Sequence, residues 1–100
     1  MSDQPCVSVV IPVKNESRCL PACLKSLLEI GFPKHLLEMI VVDNGSTDGS
    51  VGIAQSFKAH VHLCPDLSIS GLRNYGAEVA KGSVLAFVDA DVAVKPAWLQ

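Results

Sequence analysis

Two rhythms of apolar residues alternate along this chain. The first is near-continuous: Cys6-Val7-Ser8-Val9-Val10-Ile11-Pro12-Val13 carries valine and isoleucine on both parities. A strand exposed on one face alternates apolar with polar, so an unbroken run predicts a strand covered on both faces, as in a parallel sheet. The second rhythm follows at once. Leu20, Cys23, Leu24, Leu27 and Leu28 are spaced i, i+3, i+4, i+7, i+8, one stripe of a helix. Pro21 is tolerated only in a first turn, which predicts a start between Ser17 and Leu20; Gly31 and Pro33 stop the helix.

The alternation then repeats. Met39-Ile40-Val41-Val42 predicts a second buried strand, followed by the polar, glycine-rich segment Asp43-Asn44-Gly45-Ser46-Thr47-Asp48-Gly49. A helix is expected over 50–58, weakened by Gly49 and Gly52, then a short strand His60-Val61-His62-Leu63. A third helix is expected over 68–81 with Gly82 as its C-terminal stop. Val84-Leu85-Ala86-Phe87-Val88 is the fourth strand and ends at Asp89-Ala90-Asp91; Pro96 stands where a further helix would open. The order β-α-β-α-β-α-β predicts an α/β fold: an open, mainly parallel, doubly wound, Rossmann-like sheet with right-handed crossovers.

That fold class sorts the polar residues. In such sheets ligands bind beyond the carboxyl ends of the strands. Lys14-Asn15-Glu16, Asp43-Asn44 and Asp89-Ala90-Asp91 all follow strands, so all three groups are expected at one edge. Two aspartates one residue apart disfavour each other's charge unless a cation neutralises them. Mg²⁺ or Mn²⁺ is suited to one or two carboxylates completed by waters and phosphate oxygens. A carboxylate can also accept from ribose hydroxyls, Asp43 or Asn44 from a base edge, and Arg73 can reach a diphosphate. A nucleoside diphosphate with a divalent metal satisfies all of these groups.

Composition narrows the remaining classes. In 100 residues, 49% are hydrophobic and 18% charged, which suits a packed core rather than a disordered chain. A formal charge of −2 supplies no basic field for nucleic acid. No apolar run reaches the ~20 residues of a membrane span, and Met1 to Pro5 has no basic signal-peptide start, so a cytoplasmic location is expected, or the cytoplasmic membrane face for a longer parent. Cys6, Cys19, Cys23 and Cys64 form no CxxC pair and read as buried, reduced thiols. His60 and His62 read as one face of a half-exposed strand rather than a metal pair. The glycosylation patterns at Asn15 and Asn44 read as chance, and Trp98 as a packing residue. Asp48 reads as a helix N-cap.

Four blocks carry a resemblance. Val7 to Glu16, Val41-Val42-Asp43-Asn44-Gly45-Ser46-Thr47-Asp48-Gly49-Ser50, Gly71-Leu72-Arg73-Asn74-Tyr75-Gly76-Ala77 and Phe87-Val88-Asp89-Ala90-Asp91 resemble, in order and spacing, the donor-binding half of family-2 glycosyltransferases of GT-A fold. The resemblance implies transfer of sugar from a nucleotide-diphosphate donor, a UDP- or dTDP-sugar first, to an acceptor that it does not specify. It implies that Pro12, Val13, Asn15 and Glu16 line the base and ribose pocket, that Asp43 and Asn44 recognise the base, and that Arg73 lies near base or phosphates. Asp89 would face ribose or sugar hydroxyls, and Asp91 would hold Mn²⁺ or Mg²⁺. Asn44 departs from the aspartate common in the family, which bears on the choice of base. The catalytic base and acceptor-binding half are expected beyond residue 100, so the 100 residues are expected to bind donor and to transfer poorly.

Two other readings compete. The strand ending in Asp89-Ala90-Asp91 also resembles the nucleophile strand of haloacid-dehalogenase phosphohydrolases. Ala93, where those enzymes favour Thr or Val, and the strand's place at the end of the order argue against it. A non-catalytic module that self-associates through an uncovered sheet edge is the other.

Overall fold

The computed structural model describes residues 7–95; Cys6, Pro96 and Trp98 lie outside the described residues. The chain runs β1 (Val7–Val13), α1 (Leu20–Leu28), a 3₁₀ turn (Lys34–Leu36), β2 (Leu37–Asp43), α2 (Ser50–Ser56), β3 (His60–Leu63), α3 (Ile69–Val79) and β4 (Val84–Phe87). All strand pairs are parallel, in the order β3-β2-β1-β4. The expected α/β architecture and element order are therefore present.

The continuous apolar runs explain the two-layer cover. Every residue of β1 is buried, as is β2 beyond its first residue. Odd-numbered Val9, Ile11, Val13, Met39 and Val41 pack with Leu20, Cys23, Leu24 and Leu27 of α1 and Ala54 of α2. Even-numbered Val10, Ile40 and Val42 pack with Leu72 of α3 and Cys64. One strand thus feeds two cores, because successive side chains point to opposite faces. Burying a Val, Leu or Ile side chain stabilises by about 1.5–3 kcal/mol, so β1, β2 and α1 together hold most of the frame.

Register places the carboxyl ends. Val13 pairs with Asp43, and Asp43 with Leu63, so β1, β2 and β3 finish level. β4 stops at Phe87 opposite Val10, but Val88 N–H still donates to Val10 O at 3.1 Å and carries the chain up to Asp89.

Three expectations need correction. α3 ends at Val79, and Gly82 is not a left-handed stop. A Cβ on Gly82 would lie 2.8 Å from both Ser8 N and Ser8 Oγ, so glycine is needed for close approach to β1. Gly82 N–H donates to Ser8 Oγ at 2.8 Å, and Ser8 Oγ–H donates to Glu38 Oε1 at 2.8 Å. α2 is shorter than expected, and its N-cap position is Gly49 at φ 102° rather than Asp48. Cys19 is exposed, although Cys23 and Cys64 are the buried free thiols expected. His60 is exposed and His62 half-buried, with its Nδ1 3.2 Å from Tyr75 Oη. Among the described residues no His, Cys, Asp and Glu group of three or more is placed to hold a metal ion, and no helix is long and apolar enough to cross a membrane.

Candidate functional site

A cleft of about 310 Å³ opens at the carboxyl ends of β1, β2 and β4. Its walls are Pro12, Val13, Lys14 and Glu16 after β1, Asn44 after β2, and Asp89, Ala90 and Asp91 after β4; Ile69 and Leu72 of α3 complete it. A larger cleft of about 450 Å³ lies at the opposite end, where Leu28, Leu37, Met39 and Phe57 meet Lys34 and Lys58. It gathers no carboxylate pair, so the chemistry concentrates in the smaller cleft.

Two loops make one wall, and they are tied together. Asn44 N–H donates to Val13 O at 2.8 Å. Asn15 N–H donates to Ser46 Oγ at 2.8 Å, and Asn15 Oδ1 accepts from Thr47 N–H at 2.7 Å. Glu16 N–H donates to Ser50 Oγ at 3.0 Å, and Ser17 N–H to Asp48 Oδ2 at 3.0 Å. Asn15 adopts φ 52°, a left-handed conformation that asparagine tolerates better than most residues. Its carboxamide oxygen is thereby turned to Thr47. Of the predicted site residues, Pro12, Val13, Glu16, Asn44, Asp89 and Asp91 line the cleft; Asn15, Asp43 and Arg73 do not.

Asp43 lies behind that wall, 1% exposed. Its Oδ2 accepts from Ser46 N–H at 2.9 Å, a local turn bond; its Oδ1 is buried without a partner among the described residues. An unsatisfied buried acceptor costs about 1–3 kcal/mol. Cys64, against β2's end, has its thiol pushed up by burial and then by the Asp43 carboxylate.

The opposite wall is more open. Arg73 Nη2 lies 3.2 Å from Asp89 Oδ1, with both side chains substantially exposed, while Arg73 Nε is buried without a partner. Cys23 Sγ lies 3.8 Å from Asp89 O. Burial first, then the Asp91 and Asp89 carboxylates, push the Cys23 thiol up to about 11. Two carboxylates thus project negative charge onto this wall with one guanidinium beside them. The contribution of Ile69 escaped the sequence reading, because an exposed apolar residue at a helix start carries no chemical signal of its own. Lys14 was legible only as part of a polar group.

Comparison with known proteins identifies the family and the fold. The family model described as Glycosyl transferase family 2 matches residues 8–100. Glycosyltransferase AglE of Haloferax volcanii is 37% identical across 99% of this chain, which spans 34% of that protein. An uncharacterized glycosyltransferase of Escherichia coli, YibD, is 40% identical across 90% of this chain and 27% of its own length. Among solved structures, S. aureus TarS in complex with UDP-GlcNAc superposes with a TM-score of 0.74 at 30% identity, over 86% of this chain and 26% of that one. The mannosyltransferase PcManGT of Pyrobaculum calidifontis, in complex with GDP-Man and Mn²⁺, superposes with a TM-score of 0.76 at 26% identity, over 88% and 28%. The chain therefore spans about a third or less of each of these proteins. The match leaves no place for the phosphohydrolase reading of Asp89-Ala90-Asp91. With the family model matching residues 8–100 and all four blocks contributing to the carboxyl-end cleft, this chain belongs to glycosyl transferase family 2.

Proposed function

We propose that this chain is the donor-binding part of a GT-A glycosyltransferase, taking a nucleotide-diphosphate sugar in the cleft between the two walls. The observation that carries the reading is the meeting of Glu16 and Asn44 with Asp89 and Asp91 around one cleft. TarS and PcManGT, complexed with UDP-GlcNAc and GDP-Man, support the class of ligand.

In this reading Pro12, Val13 and Glu16 border base and ribose. Asn44 offers both an acceptor and a donor to the base edge. Asp43 is buried behind Asn44 and supports that loop rather than facing the cleft, so UDP- or dTDP-sugars stand first only by the family resemblance. Arg73 holds Asp89 toward ribose or sugar hydroxyls through its Nη2. Asn15 belongs with the loop ties rather than with the cleft lining, because its carboxamide oxygen accepts from Thr47 and it does not line the cleft.

The donor set of the open wall fits a divalent oxygen-seeking ion. Asp89 and Asp91 stand one residue apart after β4 and both line the cleft. Two carboxylates and no third protein ligand leave the remaining positions to waters and phosphate oxygens, as Mg²⁺ and Mn²⁺ prefer. Asp91 would hold the ion, which would neutralise charge on the departing nucleoside diphosphate. PcManGT is complexed with Mn²⁺. In this reading residues 1–100 bind the donor, and no catalytic base is assigned among them.

Calorimetric titration of UDP, dTDP and GDP, each with and without Mn²⁺, tests this. UDP or dTDP should bind in a metal-dependent way, and Asp91→Ala should lower affinity by about tenfold or more, equivalent to about 1.4 kcal/mol, without changing the melting temperature. Metal-independent binding would remove the role given to Asp91. No binding to folded protein would remove the donor reading.

A second reading is favoured by β4. Val84, Leu85 and Phe87 are large, apolar and exposed on an edge strand. An edge of that kind is a template for another chain, so self-association through β4 is expected. Gel filtration over a concentration series checks it, a constant monomer counting against it.

A further inference from the structure

We propose that Asp48 is a positioning residue of the donor cleft: its carboxylate fixes the Glu16 backbone from behind, so that the Glu16 side chain faces the ligand before one arrives. The inference rests on the donor reading above. It assigns work to a residue that takes no part in lining the cleft.

The bonds form a short chain. Asp48 Oδ1 accepts from Ser50 Oγ–H at 2.6 Å and from Ser50 N–H at 3.0 Å. Ser50 Oγ, its proton spent on Asp48, accepts from Glu16 N–H at 3.0 Å. Asp48 Oδ2 accepts from the next amide, Ser17 N–H, at 3.0 Å. One carboxylate therefore holds two consecutive amides of the β1–α1 loop, one directly and one through a hydroxyl. Ser50 is completely buried, so the relay has no water to replace it. The Asp48 carboxyl is held well below the usual carboxylate range, chiefly by Ser50 and then by Ser17, as expected for an ionised acceptor of several hydrogen bonds.

Those two amides have nowhere else to go. They precede α1, whose first amides are served by the Glu16 carbonyl: Cys19 N–H and Leu20 N–H both donate to Glu16 O, at 3.1 and 2.9 Å. Glu16 is thus fixed at its N–H by Ser50 and at its carbonyl by the start of α1. Its side chain is left to line the cleft. This is preorganisation through supporting contacts, which a ligand would otherwise have to impose on binding.

The conservative change Asp48→Asn isolates the effect, since an amide cannot accept on both sides. Amide hydrogen exchange should show Glu16 and Ser17 protected in the wild type, with one of the two losing protection in Asp48→Asn and Glu16 losing it in Ser50→Ala. UDP titration with Mn²⁺ should show affinity reduced by about tenfold, as for other supporting contacts of a site. The decisive readout is the cycle with Glu16→Ala. A residue that acts through Glu16 adds nothing once Glu16 is truncated, so the double variant should bind as Glu16→Ala alone. Ser50→Ala cuts only the Glu16 branch and provides the same test if Asp48→Asn fails to fold. Additive losses would make Asp48 a general fold residue and overturn the proposal. Unchanged exchange at Glu16 and Ser17 would overturn the clamp itself. Failure of the wild type to bind UDP, with both amides protected, would instead overturn the donor reading and the positioning role with it.

Discussion

The two walls of the cleft are built differently. The wall from the β1–α1 and β2–α2 loops is held by hydrogen bonds that cross between loops, among them those from Asn15 and Glu16 to Ser46 and Ser50. The wall after β4 is held to the rest by an exposed Arg73–Asp89 pair, by the Cys23 contact and by Val94 N–H donating to Ser26 Oγ at 3.0 Å. The first wall is finished before a ligand binds. The second keeps its carboxylates open to solvent and to whatever cation or hydroxyl approaches. Under the proposed donor reading, that division suits a ligand with a rigid base and flexible phosphates.

Several experiments break or sharpen this contrast. The largest stability effect is expected on the tied wall. Ser50→Ala leaves the Glu16 amide without its acceptor inside the protein, a loss of about 1–3 kcal/mol, measured as a lower urea midpoint with unchanged slope. Acid should act on the same wall. Asp48 has its folded-state ionisation lowered relative to the unfolded chain, so its contribution is complete above the ordinary aspartate range near ~3.9. That contribution declines as pH falls through and below that range. Urea midpoints taken from pH 5 to pH 3 should therefore fall more steeply for the wild type than for Asp48→Asn, and parallel curves would contradict the assignment. The smallest effect is expected on the open wall. Arg73→Ala removes an exposed pair worth about 0–1 kcal/mol and should scarcely move the midpoint, while changing nucleotide affinity if Arg73 orients Asp89.

Much of this was readable from residue order. Continuous valine and isoleucine specified buried parallel strands, and the carboxyl-end rule then brought Glu16, Asn44, Asp89 and Asp91 to one edge. The failures share a cause. Asn15 was placed among the ligand contacts, but its left-handed backbone turns its carboxamide to Thr47, a partner 32 positions away. Asp48 was read as a local helix cap, whereas it also reaches the other loop at Ser17. Gly82 was read as a helix stop, whereas the constraint is the backbone of Ser8. In each case a local rule was overridden by a tertiary neighbour that spacing does not reveal. The 3₁₀ turn over Lys34–Leu36 fell within a segment with no periodic signal.

The central position of β1 also has a consequence for how the cleft is assembled during folding. The Ser8–Glu38 bond that fastens β1 to β2 closes 30 positions, and the Gly82–Ser8 bond at the entry to β4 closes 74. The longer closure costs about 0.8 kcal/mol more in chain entropy, and β4 has only four residues with which to recover it. The tied wall can therefore form on β1 and β2 while the segment bearing Asp89 and Asp91 is still searching. On this ordering local opening is expected to start at the same segment, releasing the aspartates while the wall from the β1–α1 and β2–α2 loops stays folded, an order that native-state amide exchange would check.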